Sequence, residues 1–136
     1  MRREVFVDSG AWLAITDTHD KYHERAVEIH RRLLQERLPL VTTNLVIAEA
    51  YILIRRTGGH SPAMQFLRLL RESGRVQKVY SEPRLETQAE GTLQRYHDHD
   101  FSLADAVSFV VMKNLGVREA FGFDRHFLTM GFTLIP

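Results

Sequence analysis

The stretch Val5-Phe6-Val7-Asp8-Ser9-Gly10 decides the fold of this chain of 136 residues. Three consecutive apolar residues with strand-forming side chains predict a short buried strand, and Asp8-Ser9-Gly10 ends it. Sheets of α/β proteins bind ligands beyond the carboxyl ends of their strands. Asp8 follows the strand directly and is therefore the first candidate for a functional site.

Further short apolar segments continue this pattern along the chain. Strands are predicted at 5–7, 38–42, 76–80, 120–123 and 132–135, and helices at 20–37, 44–55, 61–74, 83–96 and 102–115. Short apolar strands that alternate with helices imply a parallel sheet covered on both faces. We expect an α/β protein with about five parallel strands, and its length predicts a single domain spanning 1–136.

The composition is that of an ordinary globular protein, with 44% hydrophobic and 26% charged residues and no cysteine. The lack of cysteine excludes disulfides and thiolate metal sites. No apolar run reaches the ~18 residues of a membrane span, and no signal peptide is evident. We therefore expect a cytoplasmic protein that does not enter a membrane.

Charge is distributed unevenly around the middle of the chain. The stretch from Arg55 to Lys78 holds six lysines and arginines against one acid, and that from Glu82 to Asp105 holds six acids against two arginines. Such a distribution suits a protein that holds a polyanion beside metal ions. Two solvated helix faces are the more common cause of charge runs and remain an alternative.

Two acids stand in otherwise apolar helical segments. Glu49 is the one charge among nine apolar residues in 45–54, and Asp105 is the one charge in 103–112. Ionised carboxylates are rarely buried unless they are paired or bind a cation, and neither segment contains a lysine or arginine. With Asp8 and Asp124, each close to the end of a predicted strand, they are expected to share Mg²⁺ or Mn²⁺. Without metal, their repulsion should raise at least one carboxyl pKa.

Each acid also has a structural explanation that must be weighed. Asp8 can cap the helix that follows, as can Asp124. Ser102-Leu103-Ala104-Asp105 has the spacing of a capping box, although Glu or Gln is preferred at its last position. Glu49 lies too far beyond Thr43 for such a role, and it is the strongest single indication of a site.

Four segments together resemble the PIN-domain family. They are Val5-Phe6-Val7-Asp8-Ser9, Thr43-Asn44-Leu45-Val46-Ile47-Ala48-Glu49, Phe101-Ser102-Leu103-Ala104-Asp105-Ala106-Val107-Ser108-Phe109 and Phe121-Gly122-Phe123-Asp124-Arg125-His126-Phe127. They span nearly the whole chain in the order and spacing of the family. The resemblance extends to the small bacterial and archaeal members typified by VapC toxins, including the Gly131-Phe132 turn.

This resemblance implies a three-layer α/β/α fold and a Mg²⁺- or Mn²⁺-dependent ribonuclease that hydrolyses RNA phosphodiesters. By position, the core metal ligands correspond to Asp8, Glu49 and Asp105, and the fourth acid corresponds to Asp124. Ser9 matches a small polar residue that supports the first metal, and we include Ser102 as a second supporting candidate. Gly10 departs from the family, since many relatives have a polar residue there.

The VapC resemblance also implies partners. These are an RNA substrate, a small antitoxin that blocks the site, and a second copy of the chain in a homodimer. Phe66, Leu67 and Leu70 are candidates for the dimer interface or for the antitoxin groove, although core packing is the more frequent outcome for such residues. The alternative function is a module that binds RNA or a protein without efficient cleavage.

Other families and sites fit less well. Haloacid-dehalogenase-type phosphatases require a second aspartate where this chain has Gly10, and the further acidic pair and late lysine of receiver domains are not evident. Two histidine pairs, His19 with His23 and His97 with His99, lack a clear third metal ligand. Arg125 and His126 either contact phosphate or face solvent.

Overall fold

A computed structural model describes residues 3–136. The strands of this part of the chain are β1 (Val5–Val7), β2 (Leu40–Thr43), β3 (Val76–Val79), β4 (Glu119–Phe121) and β5 (Thr133–Leu134). Its helices are α1 (Ser9–Thr16), α2 (His23–Gln35), α3 (Asn44–Gly58), α4 (His60–Glu72), α5 (Pro83–Arg95), α6 (Leu103–Leu115) and α7 (His126–Thr129). No helix within 3–136 is long and apolar enough to cross a membrane.

The five strands form one parallel sheet in the order β3-β2-β1-β4-β5. Val5, Phe6 and Val7 have no exposed surface although consecutive strand residues point to opposite faces, so helices cover both faces. This confirms the predicted parallel α/β sheet of five strands. Strand order reverses between β1 and β4, and such a switch point opens a crevice at the carboxyl ends of the strands.

Helix boundaries follow local signals. The predicted helix at 20–37 begins only at His23, because the Asp20 carboxylate accepts a hydrogen bond from Tyr22 N and holds a turn there. Further along the chain, α6 ends at Leu115 and is followed by Gly116, as predicted. The φ of Gly116 is 72°, a left-handed conformation that glycine tolerates.

Two boundaries differ from the predictions in ways that affect the site. A separate helix, α1, occupies Ser9–Thr16 immediately after β1, where the sequence indicated only a capping position. Strand β4 ends at Phe121 rather than at 123, so Asp124 lies on the turn beyond the strand. The sequence pattern missed this end because Phe123 is apolar for another reason: its ring stacks on Tyr22, with centroids 4.2 Å apart.

Candidate active site

Asp8 occupies the crevice between β1 and β4. Its backbone N–H donates to the carbonyl of Phe121 at 3.0 Å, which extends the β1–β4 ladder by one residue. The residue is only 6% exposed, and although it stands at the N-cap of α1, its side chain makes no capping hydrogen bond. Capping therefore does not explain the buried carboxylate.

Burial dominates the electrostatics of Asp8. Loss of solvation is the largest cause that raises the pKa of its carboxyl to about 7; the backbone N–H of Ser9 lowers the pKa, and the nearby charges of Asp105, Glu49 and Asp124 contribute to raising it. A raised carboxyl pKa agrees with the expectation, but burial is its main cause and repulsion among the acids, which the sequence suggested, is secondary.

Glu49 is half-buried in the second turn of α3. The helix begins directly after β2 because the Thr43 hydroxyl accepts a hydrogen bond from Val46 N at 3.1 Å. Burial raises the pKa of Glu49, the charge of Asp105 raises it further, and the Ser9 hydroxyl partly offsets both. The candidate supporting residue Ser9 is thus placed beside one of the four acids.

Asp105 lies in the first turn of α6 and is held by the predicted capping box. Its backbone N–H donates to the Ser102 hydroxyl at 3.0 Å, and Ser102 N–H donates back to Oδ2 of Asp105 at 3.0 Å. The Asp105 side chain is 14% exposed. It therefore both caps its helix and faces the other acids, and the two explanations do not exclude each other.

Asp124 is the outermost of the four, with a side chain that is 42% exposed. Its Oδ1 accepts a hydrogen bond from His126 N at 2.9 Å, which folds the turn into α7. Imidazole Nδ1 of His126 lies 3.3 Å from this same oxygen and 3.3 Å from Oδ2 of Asp105. The fourth acid is thereby connected to the third through one histidine ring.

The charges of Asp105 and Asp124 raise the pKa of both Asp8 and Glu49, so the four acids lie near one another where the strand order reverses. The ion pairs within residues 3–136 include none between these carboxylates and a lysine or arginine. Mutually repelling carboxylates, one of them buried, are the donor set that a hard divalent cation stabilises. In addition, Asp105, Asp124 and His126 each offer one atom in a group within 4.8 Å of one another.

Two residues of this site were missed by sequence reasoning. His126 was assigned to phosphate contact or to solvent, yet it contacts two of the acids. Gly122 was not singled out, although a Cβ there would lie 3.1 Å from the Cβ of Asp8. The sequence offered one signal for each: His126 stands two residues after a candidate ligand, and Gly122 lies between two phenylalanines near the end of a strand.

The PIN-domain family model matches residues 5–132, and the chain belongs to this family. It is 35% identical over 130 residues, covering 94% of this chain and 95% of the relative, to the 23S rRNA-specific endonuclease VapC20 of Mycobacterium tuberculosis. The crystal structure of VapC20, a sarcin-ricin loop cleaving toxin, matches with a TM-score of 0.85 at 32% identity, covering 96% of this chain and 97% of that one.

A more distant solved structure supports the fold alone. FitAcB from Neisseria gonorrhoeae matches with a TM-score of 0.64 at 15% identity, covering 97% of this chain and 96% of that one. Together the matches confirm the expected three-layer PIN-like fold and the expected assignment as a PIN-domain ribonuclease of the VapC toxin type.

Proposed function

We propose that this ribonuclease cleaves the sarcin-ricin loop of 23S rRNA as the toxin of a toxin-antitoxin pair, and that its four acids bind Mg²⁺ or Mn²⁺. The observation that carries the proposal is the proximity of the four acids, since the charges of Asp105 and Asp124 raise the pKa of both Asp8 and Glu49. Asp8 is buried, and none of the four pairs with a lysine or arginine among residues 3–136. The similarity to VapC20, at 35% identity over 94% of the chain, supports 23S rRNA as the substrate.

The roles of the four acids follow from their exposure. Asp8 lies deepest, and with the half-buried Glu49 and Asp105 it would hold the cation. Asp124 lies at the rim, where solvent and an incoming phosphodiester have access. A divalent cation bound here would supply an activated water and would neutralise charge that develops on the phosphoryl oxygens.

Exposed cations offer a surface for the RNA backbone. Arg55, Arg56, Arg68, Arg71 and Arg75 are all exposed, and none forms an ion pair with an acid among residues 3–136. Unpaired guanidinium groups bind phosphates and release counterions, so RNA binding should weaken as salt rises. Exposure fits both an RNA-binding surface and a solvated face, and the salt dependence of RNA binding distinguishes the two.

Cleavage of ribosomal RNA tests the function directly. The full chain is incubated with ribosomes and with protein-free 23S rRNA, with Mg²⁺, Mn²⁺ or a chelator, and the ends are mapped by primer extension. We expect one cut within the sarcin-ricin loop that disappears with chelator and in Asp8→Asn. Asp98→Asn, whose side chain is 72% exposed, is the matched control and should cleave normally. Cuts elsewhere, or chelator-resistant cleavage, would contradict the proposal.

The same variants distinguish the alternative of a binding module. Such a module would bind the RNA equally in wild type and in Asp8→Asn and would give no product with either. The enzyme is supported if Asp8→Asn binds the RNA as wild type does but, unlike wild type, does not cleave it.

An apolar groove between α1, α2 and α4 is the proposed antitoxin site. The groove has a volume of about 480 Å³, and its lining includes Trp12, Ile15, Leu34, Phe66 and Leu69. Leu69 is 61% exposed and Leu34 is 38% exposed, so the groove presents contiguous apolar surface of the kind that a partner covers. Phe66 and Leu70 are 5% exposed and belong to the core, and both also line the groove. Leu67 is partly buried and packs against the core.

An amphipathic helix of the antitoxin fits such a groove. Coexpression with the product of any small reading frame that adjoins the gene, followed by copurification, tests the assignment. Leu69→Glu should release that protein, while Met64→Glu, which is exposed on the same helix but lies outside the groove lining, should retain it. Equal retention by both variants would place the antitoxin elsewhere.

Two further expectations complete the proposal. We expect one domain throughout the chain, a homodimer that light scattering would detect as twice the mass of 15.8 kDa, and action in the cytoplasm where ribosomes are found. A monomeric mass at micromolar concentration would contradict the dimer without affecting the assignment of the site.

A further inference from the structure

His126 stands between two acids of a site whose proposed ligands are all carboxylates. Its Nδ1 lies 3.3 Å from Oδ2 of Asp105 and 3.3 Å from Oδ1 of Asp124. A carboxylate oxygen accepts hydrogen bonds and donates none, so Nδ1 is the nitrogen that carries the proton in this arrangement. The ring therefore donates a hydrogen bond to Oδ2 of Asp105, and Oδ1 of Asp124 lies within ion-pair distance of the same nitrogen.

The backbone holds the same two oxygens. Ser102 N–H donates to Oδ2 of Asp105 at 3.0 Å, and His126 N–H donates to Oδ1 of Asp124 at 2.9 Å. The second oxygen of each carboxylate has no hydrogen-bond partner within the described residues. Every fully buried side-chain oxygen among the described residues has a hydrogen-bond partner. The second oxygens of Asp105 and Asp124 have none, so they are not fully buried and remain accessible.

Phe101 fixes the plane of the imidazole. Its ring meets that of His126 edge-on, with centroids 5.0 Å apart and an interplanar angle of 78°. Phe101 is 9% exposed and packs in turn against Phe109 at 5.1 Å. A ring held in this way keeps Nδ1 directed at the two carboxylates.

We propose that His126 is a positioning residue of the metal site. Its Nδ1–H and the Ser102 N–H hold one oxygen of Asp105, and its backbone N–H holds one oxygen of Asp124, so that the other oxygen of each is presented to a divalent cation. Outer hydrogen bonds of this kind orient metal ligands and contribute strongly to affinity. The inference rests on the metal site of the proposed function. It does not depend on which RNA is cleaved.

Two substitutions separate positioning from direct ligation. Asparagine carries its amide nitrogen near the position of Nδ1, whereas glutamine carries it near that of Nε2. An amide N–H can donate to a carboxylate but cannot bind a cation as imidazole does. His126→Asn should therefore preserve the positioning bond, and His126→Gln should lose it.

The experiment is calorimetric titration of Mn²⁺ into the metal-free full chain. We expect His126→Asn to bind within about threefold of wild type and His126→Gln to bind about 10- to 100-fold more weakly. His19→Gln, at a side chain that is 96% exposed, is the matched control and should bind as wild type does. The thermal unfolding of each metal-free variant is measured alongside, so that misfolding is recognised.

Equal Mn²⁺ affinity in wild type and both His126 variants would overturn the inference, whatever happens to the unfolding temperature. Equal losses in both variants would also overturn it, because the ring nitrogen itself would then be required. A wild type that binds Mn²⁺ but leaves RNA intact contradicts the proposed function and leaves this inference standing. A wild type that binds no Mn²⁺ overturns both.

Discussion

Gly122 lies directly against Asp8, and a Cβ at position 122 would lie 3.1 Å from the Cβ of Asp8. That separation is too short for ordinary contact, and the atom in the way belongs to a side chain fixed at the start of α1. The two residues follow β4 and β1, the strands on either side of the switch point. The burial of Asp8 therefore depends on the absence of a side chain at position 122, directly after the neighbouring strand β4.

Gly122→Ala should displace Asp8 and weaken both metal binding and cleavage. The packed surroundings leave little room for a new methyl group, so we also expect a loss of about 1–3 kcal/mol in the free energy of unfolding. Gly91→Ala is the matched control, because its Cβ would meet nothing within 4 Å in the middle of α5. It should stabilise by about 0.5–1 kcal/mol. Urea unfolding and Mn²⁺ titration of both variants measure these effects, and wild-type Mn²⁺ affinity in Gly122→Ala would refute the argument.

Asp8→Asn should change how the stability of the metal-free protein depends on pH. Burial raises the pKa of folded Asp8 from 3.8 to about 7, so the folded state binds more protons than the unfolded state in that interval. The contribution of Asp8 to stability is therefore complete below pH 3.8 and is lost as the pH rises toward about 7. Asp8→Asn has no proton to lose at this position, so its free energy of unfolding should fall less steeply than that of wild type as the pH rises.

At pH 8 without metal, Asp8→Asn should be more stable than wild type by on the order of 1 to 4 kcal/mol. Some slope should persist, because the pKa of Glu49 is also raised. Chemical unfolding in chelator at several pH values measures the difference, with Asp98→Asn as an exposed control. Parallel pH profiles for wild type and Asp8→Asn would show that the Asp8 carboxyl is not held at a raised pKa.

Metal should stabilise the folded protein, because the cation relieves the repulsion among the acids. Binding to the folded state alone stabilises by about 2.7 kcal/mol at a metal concentration 100 times the Kd. We expect unfolding temperature to rise with Mn²⁺ in wild type and to respond weakly in Glu49→Gln. No rise in wild type at millimolar Mn²⁺ would count against a metal site. Ca²⁺, a larger cation, serves as a comparison for selectivity.

Two substitutions at Ser102 separate its two roles. Ser102→Ala removes the hydroxyl that caps α6 and should cost about 1 kcal/mol of stability, yet it keeps the backbone N–H that holds Asp105. Ser102→Pro lacks both groups and is compatible with the local φ of −78°. Both variants should lose stability, but only Ser102→Pro should weaken Mn²⁺ binding. Equal Mn²⁺ affinities would show that the backbone bond to Asp105 does not position it.

Some parts of the site could be read from local pattern. A charge in an apolar segment is conspicuous wherever the segment folds, and Glu49 and Asp105 were found in this way. The capping box at Ser102 was also visible, because its partners are three residues apart. The end of β4 was misplaced, since Phe123 is apolar in the sequence while its packing partner, Tyr22, lies far away along the chain.

By itself, the sequence determined the alternation of strands and helices, the parallel sheet and the identity of four candidate acids. These depend on local periodicity and on the high cost of burying an unpaired charge. Only the tertiary structure decided that Gly122 makes room for Asp8, that burial raises the pKa of Asp8 to about 7, and that His126 lies between two acids. Each of these depends on contacts between β1, β4, α6 and the turn before α7. Local sequence does not specify distances between segments that only folding brings together.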